Sequence, residues 1–378
     1  MEEISLYIHI PFCKQKCLYC DFPSFSGKES LINSYVDSLI KEMQAKCSDY
    51  IIASLFIGGG TPSYLDKSNL KKLLNQINKL NFKQNAEKTI ECNPGTLNEE
   101  KLEIIKNGGI NRISFGLQST DDKLLKEIGR IHNYNEFLEN YKMARKIGFD
   151  NINIDLMYGL PNQTADSYLD SLREIIKLNP EHISAYSLII EEGTKFYQLY
   201  QKDLLDIPTE DDERKMYNIG RKLLLENGYK HYEISNFART GRECFHNKVY
   251  WKCKQYIGIG AFASSYMDSV RYKNTEGIEQ YIYKINNNID TKIIEKINTG
   301  NDDIEEFMFM GLRMIEGISE DEFIKRFNID VFAVYKKVIE DNIKKGLLLR
   351  KNRRIYLTEK GIEFSNLVMS DMILWLIA

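Results

Sequence analysis

Three cysteines, Cys13, Cys17 and Cys20, are spaced C-x3-C-x2-C near the start of the chain. They stand too close together for an ordinary disulfide framework, and in a reducing compartment such a cluster signals metal. Thiolates of this kind are ligands for zinc or for an iron–sulfur cluster. Structural zinc calls for four protein ligands in two pairs, whereas a single group of three leaves one metal position open. On a [4Fe–4S] cube that position is an iron free to bind an outside donor, a chemical use rather than a structural one. The other cysteines, Cys47, Cys92, Cys244 and Cys253, have no partner cysteines nearby in sequence and read as small core residues.

Further along, polar groups with chemical potential recur at the ends of apolar, β-rich runs. Gly58-Gly59-Gly60-Thr61-Pro62 lacks side chains where a backbone must approach a ligand closely, and no Gly-Lys-Ser/Thr follows to make it a P-loop. Glu91 lies in Ile90-Glu91-Cys92-Asn93-Pro94, Gln118 ends Ser114-Phe115-Gly116-Leu117-Gln118, and Asp155 interrupts Asn153-Ile154-Asp155-Leu156-Met157. A carboxylate in such a run is costly to bury alone, and a ligand ammonium or ribose hydroxyl would satisfy it. Any one of these could be an exposed or locally bonded residue, but their recurrence at one place in successive units points to a shared site. Arg130, in Gly129-Arg130-Ile131-His132, has a fork suited to a carboxylate, and a surface arginine is the alternative. His132 carries a weaker signal.

The elements that must position these groups repeat. Strand patterns at Ser5–Ile10, Ser54–Ile57, Lys88–Cys92, Arg112–Leu117, Asn151–Met157 and His182–Leu188 alternate with helical patterns at Leu31–Lys46, Lys67–Leu80, Glu99–Lys106, Glu136–Ile147 and Ala165–Leu178. Such alternation implies an α/β fold with parallel pairing through right-handed crossovers. An open doubly wound sheet and a partial (β/α)6 barrel both fit; the polar groups at successive strand ends favour the barrel. After about residue 190 the rhythm changes, and from Asp302 the chain reads as three helices, then Leu347–Leu349, a basic turn through Arg354, and Ile355–Leu357, a winged-helix-like order. The expected divisions are a barrel core at 1–190, a barrel-extending segment at 191–300 and a C-terminal α+β region at 301–378.

With 378 residues, 43% apolar and 28% charged, the composition is that of an ordinary globular protein. A net charge of −3 gives no bulk attraction to nucleic acid or an anionic membrane. Lys344, Lys345, Arg350, Lys351, Arg353 and Arg354 form a basic patch, but no base-reading motif accompanies it and no nucleic-acid partner is expected. There is no long apolar run to span a bilayer, and Met-Glu-Glu-Ile-Ser does not resemble a signal peptide. A cytoplasmic protein is expected, with membrane contact at most peripheral and the tail bearing Trp375 packed on the C-terminal region.

The cysteine loop directly after the first strand, with Tyr19 as the aromatic beside the last cysteine, resembles the hallmark of the radical S-adenosylmethionine (SAM) superfamily. The resemblance, which covers most of the chain from Tyr7 onward, implies a partial barrel, a [4Fe–4S] cluster on Cys13, Cys17 and Cys20, and SAM chelated to its open iron and cleaved to a 5′-deoxyadenosyl radical. By similarity to the coproporphyrinogen-oxidase-like branch, Tyr7, Gly59, Gly60, Thr61, Glu91, Gln118, Arg130 and Asp155 correspond to SAM contacts. The oxidases of that branch carry a fourth cysteine where Phe22 stands here. The resulting C-x3-C-x2-C-x-F and a second motif, His246-Asn247-Lys248-Val249-Tyr250-Trp251, are similar instead to its heme-chaperone branch. Imidazole can ligate heme iron while Tyr250 and Trp251 offer flat apolar surface, so His246 is the candidate iron ligand or heme-orienting group; a histidine satisfied beside a core tryptophan is the alternative. The resemblance implies delivery of heme to apo-hemoproteins such as respiratory cytochromes, and receipt from donor proteins; dimerisation is left open. The rival is oxygen-independent coproporphyrinogen III oxidation or another radical-SAM reaction on a tetrapyrrole.

Overall fold

Arg112-Ile113-Ser114-Phe115-Gly116-Leu117-Gln118 alternates polar or small residues with apolar ones, and a strand sends those two sets to opposite faces. In the computed structural model, Ile113, Phe115 and Leu117 face the helices in the main core, while Arg112, Ser114, Gly116 and Gln118 line an internal cavity. The structure describes residues 1–373; Met372 is buried, and the rest of the apolar tail, with Trp375, lies outside the described residues.

The strands are β1 (Glu2–Ile10), β2 (Tyr50–Gly59), β3 (Phe82–Cys92), β4 (Arg112–Gln118), β5 (Ile152–Tyr158), β6 (His182–Ser187), β7 (Lys230–Glu233), β8 (Asn236–Ala238), β9 (Tyr256–Ile259), β10 (Ser264–Met267), β11 (Val270–Asn274) and β12 (Lys292–Ile297). They form one 12-stranded sheet in the order β12-β11-β10-β9-β1-β2-β3-β4-β5-β6-β8-β7. The stretch from β9 to β6 is parallel throughout, and β10 to β12 at one end and β8 and β7 at the other are antiparallel additions. The sheet curls without closing, so β12 and β7 remain edges. This is the partial barrel expected from the sequence, with β9 as a further parallel strand beside β1.

Helices Ile32–Cys47, Lys67–Ile77, Glu99–Asn107, Tyr134–Ile147 and Ala165–Lys177 cover the outer face. Asp66, Asn98, Asn133 and Thr164 cap four of them through side-chain oxygens that accept first-turn amides. Where barrel interiors are ordinarily filled with branched apolar side chains, this one also carries a set of polar groups: Tyr7, Glu91, Ser114, Asn153, Asp155 and Ser184 all line the cavity.

A second core, including Phe307, Leu312, Phe323, Tyr335, Ile339, Leu348 and Ile355, belongs to the C-terminal region. There β13 (Ile318–Ser319), β14 (Leu348–Lys351) and β15 (Arg354–Leu357) form a separate sheet behind three helices. Asn352 and Arg353 turn β14 into β15 with φ of 51° and 56°. The arginines of the basic patch are answered locally: Arg350 by Glu320, Arg353 by Asp321 and Arg354 by Glu316. No helix of the described residues is long and apolar enough to cross a membrane.

Candidate functional site

The cysteine loop leaves the C-terminal end of β1 and is tied down by backbone hydrogen bonds. Cys13 N donates to Phe25 O at 3.0 Å, Leu18 N to Ile128 O at 3.1 Å, and Phe196 N to Leu18 O at 2.9 Å. Cys13 Sγ accepts from Thr61 Oγ1 at 3.5 Å, and Cys17 Sγ from Arg130 Nη1 at 3.4 Å. Burial, more than any other influence, pushes the Cys13 thiol up and that of Cys20 to about 11. All three cysteines line the mouth of the cavity. Among the described residues no three His, Cys, Asp or Glu side chains converge on a point that would hold a single metal ion; an iron–sulfur cube takes each thiolate on its own iron and asks for no such convergence.

The glycine segment explains its own composition. Gly59 has φ +108°, and a Cβ there would lie 2.4 Å from the His9 ring; one at Gly60 would lie 2.8 Å from both Ile10 O and Phe12 O. Gly60 N and Thr61 N donate to those same carbonyls at 2.8 Å, and Gly59 N donates to Glu91 Oε2 at 3.1 Å. These amides are therefore committed, and the segment's side-chain-free surface abuts the start of the cysteine loop.

Glu91, Asp155 and Tyr7 project into the same cavity from β3, β5 and β1, and Arg130 from the loop after the short helix Asp122–Glu127 that follows β4. Burial first, and Asp155 second, hold the Glu91 carboxyl up at about 8. Asp155 is likewise raised by burial, against hydrogen bonds that include Asn153 Nδ2 at 2.7 Å and Ser114 Oγ at 3.3 Å. Arg130 also donates from Nη2 to Asn93 Oδ1 at 2.7 Å and to Gly116 O, and its buried Nε has no partner. Gly116 clears room for it, since a Cβ would lie 3.1 Å from Nη2. Gln118 ends β4 at φ +76°, a strained value for a residue with a side chain. The expected SAM-contact residues thus converge on one cavity of about 880 Å³.

His9 escaped the sequence reading. Its Nε2 meets Pro23 O at 2.8 Å, which requires a proton there, so Nδ1 accepts from the Tyr7 hydroxyl at 2.9 Å. The ring braces β1 against the far end of the cysteine loop. Asn93, which donates to Thr61 Oγ1 at 2.7 Å and accepts from Arg130, was also missed as an individual contributor.

His246 lies at the opposite end, in helix Phe245–Trp251, below the N-terminal ends of the strands. Ser54 Oγ donates to Ser5 Oγ, so at 2.8 Å from His246 Nδ1 it accepts that ring's proton. Nε2 then accepts from the Tyr250 hydroxyl at 2.9 Å. The ring stacks on Phe56 at 5.4 Å, and burial, then Arg112, hold its pKa down at about 3. Both nitrogens are engaged, so iron ligation through Nε2 requires the Tyr250 hydroxyl to let go. Trp251 lies with the Arg313 guanidinium 4.2 Å from its ring centre and packs against Tyr232, Ala238 and Met314; His246, Tyr250 and Trp251 nonetheless border the cavity.

Residues 7–175 match the model of the Radical SAM superfamily and residues 298–364 that of the HemN C-terminal domain. The chain is 39% identical over 363 residues to the heme chaperone HemW of Bacillus subtilis, covering 94% of this chain and 96% of that protein. It is 37% identical over 371 residues to the heme chaperone HemW of Lactococcus lactis, covering 98% and 97%. The solved structure of coproporphyrinogen III oxidase (HemN) from Escherichia coli, a radical SAM enzyme, superposes with a TM-score of 0.86 at 23% identity over 99% of this chain and 91% of that one, a likeness of fold.

Proposed function

The chain belongs to the radical SAM superfamily and, within it, to the heme chaperone HemW family, and from that premise we propose that it is a cytoplasmic protein that binds heme and delivers it to apo-hemoproteins such as respiratory cytochromes. The observation that carries the proposal is the single cavity of about 880 Å³ that joins the cysteine loop to the His246 floor, a volume within the roughly 300–1,000 Å³ of ligand pockets.

In this reading Cys13, Cys17 and Cys20 hold a [4Fe–4S] cluster, which when bound supplies an iron with an open coordination position for the amino and carboxylate groups of SAM. Tyr7, Gly59, Gly60, Thr61, Glu91, Gln118, Arg130 and Asp155 hold SAM. Two carboxyls raised by burial favour a cationic ligand that restores their charge, and the Arg130 guanidinium favours a carboxylate. His246 orients heme, and ligates it when Tyr250 releases Nε2. The reading assigns 1–190 to the barrel core, 191–300 to its extension and 301–378 to the winged-helix-like region.

The test is a heme titration of the anaerobically reconstituted protein beside a coproporphyrinogen III assay with SAM and reductant. Saturable heme uptake without formation of protoporphyrinogen IX is expected. Decarboxylation at the rate of a true oxidase, or no uptake of heme, overturns the proposal.

A further inference from the structure

Arg112, the first residue of β4, is 2% exposed and among the largest fully buried side chains of the described residues, yet it lines the cavity. Its Nε has no hydrogen-bond partner, and no carboxylate among the described residues forms an ion pair with it. The carboxylates whose charge reaches it, Glu87 and Asp155, hydrogen-bond to other groups. Glu87 accepts from Phe245 N and His246 N, both at 3.1 Å, and from Cys244 Sγ; Asp155 is taken by Asn153 and Ser114. Neighbouring Glu87 and Asp155 favour its charge without bonding to it, and a guanidinium fork with an unpaired nitrogen that opens on a cavity is shaped to receive a carboxylate through paired hydrogen bonds.

Position says which carboxylate. Arg130 donates to Gly116 O, four residues further along β4, so at about 3.3 Å per residue the Arg130 guanidinium contacts the strand roughly 13 Å beyond the residue that carries the Arg112 side chain. Arg130 stands at the mouth beside Cys17, whereas Arg112 stands at the floor beside the His246 helix. We propose that Arg112 binds a propionate carboxylate of heme at the floor of the barrel, a site separate from the SAM carboxylate. The proposal rests on the heme reading above. Asn153, whose Oδ1 accepts from His182 Nδ1 at 2.6 Å and Ser184 Oγ at 3.0 Å, borders the same floor and keeps the neighbouring polar groups paired.

The experiment compares heme with heme dimethyl ester, titrated into anaerobically reconstituted wild type and Arg112→Gln. Wild type is expected to bind the free acid about tenfold or more tightly than the ester. Arg112→Gln is expected to lose that preference through weaker binding of the free acid, with ester affinity and iron–sulfur absorbance unchanged. Equal binding of acid and ester by wild type overturns the proposal, as does a preference that survives in the variant or a loss of both ligands alike. If Arg112→Gln does not fold, Arg112→Lys replaces it, and partial retention of the preference is expected. Wild type that binds neither compound overturns the heme reading and this proposal with it, whereas heme uptake indifferent to esterification overturns this proposal alone.

Discussion

Arg130 touches Cys17: Nη1 donates to the thiol sulfur at 3.4 Å while Nη2 of the same fork donates to Asn93 Oδ1 at 2.7 Å. One half-buried cation therefore spans the cysteine loop and the end of β3. Arg130→Ala is expected to weaken SAM binding by about 1.5–3 kcal/mol, the range for hydrogen bonds to charged groups, without loss of iron. Calorimetric titration with SAM, beside an iron and sulfide determination, measures both. Unchanged affinity would remove Arg130 from the site.

Replacing Cys13, Cys17 and Cys20 together is expected to abolish visible iron–sulfur absorbance after anaerobic reconstitution, with the far-UV circular dichroism kept. Cys244→Ala or Cys253→Ala should leave the absorbance as it is. Those two thiols are buried away from the cysteine loop, and burial pushes both up to about 12. Iron–sulfur uptake by the triple variant would show that the ligands lie elsewhere.

Glu91 makes a prediction about pH. Its folded pKa of about 8 lies above the ordinary 4.5, so the native state keeps a proton that the unfolded chain releases. Its contribution to stability is full below about pH 4.5 and is lost as pH rises through 8, by an amount on the order of a few kcal/mol. The Tm of the SAM-free protein is expected to decline across that window, and that of Glu91→Gln to decline less. A cationic ligand that pairs with the ionised carboxylate should bind more tightly as pH rises toward 8, with release of a proton. Parallel Tm profiles for wild type and Glu91→Gln would contradict the assignment.

The Tyr250 hydroxyl occupies the lone pair of His246 that iron would use. Tyr250→Phe is expected to leave Nε2 open and to shift the heme spectrum toward stronger histidine ligation, whereas His246→Ala should reduce heme retention while SAM binding persists. Identical heme spectra and retention in wild type and both variants would place the heme contact away from this pair.

Six strands with five helices between them, the winged order near the C-terminus and the convergence of Tyr7, Glu91, Gln118, Arg130 and Asp155 were legible because strand patterns ended in distinctive residues. The floor was not. Arg112 and His182 open their strands, and a polar residue at a strand start looks the same in sequence whether it meets solvent or the inside of a barrel; the difference lies in register, which pairs Thr89 with Arg112 and Asn153 with His182. The alternation in Arg112-Ile113-Ser114-Phe115-Gly116 was the available signal, since it marks a strand whose second face is polar yet covered. The role of Trp251 was hidden for a similar reason: its cation, Arg313, comes from the distant C-terminal region.

The three backbone ties of the cysteine loop, Cys13 to Phe25, Leu18 to Ile128 and Phe196 to Leu18, are made by main-chain groups alone. Side-chain substitutions at Phe25, Ile128 or Phe196 therefore leave the loop's moorings intact, whereas proline at Leu18 or Phe196 removes a donor and frees one of them.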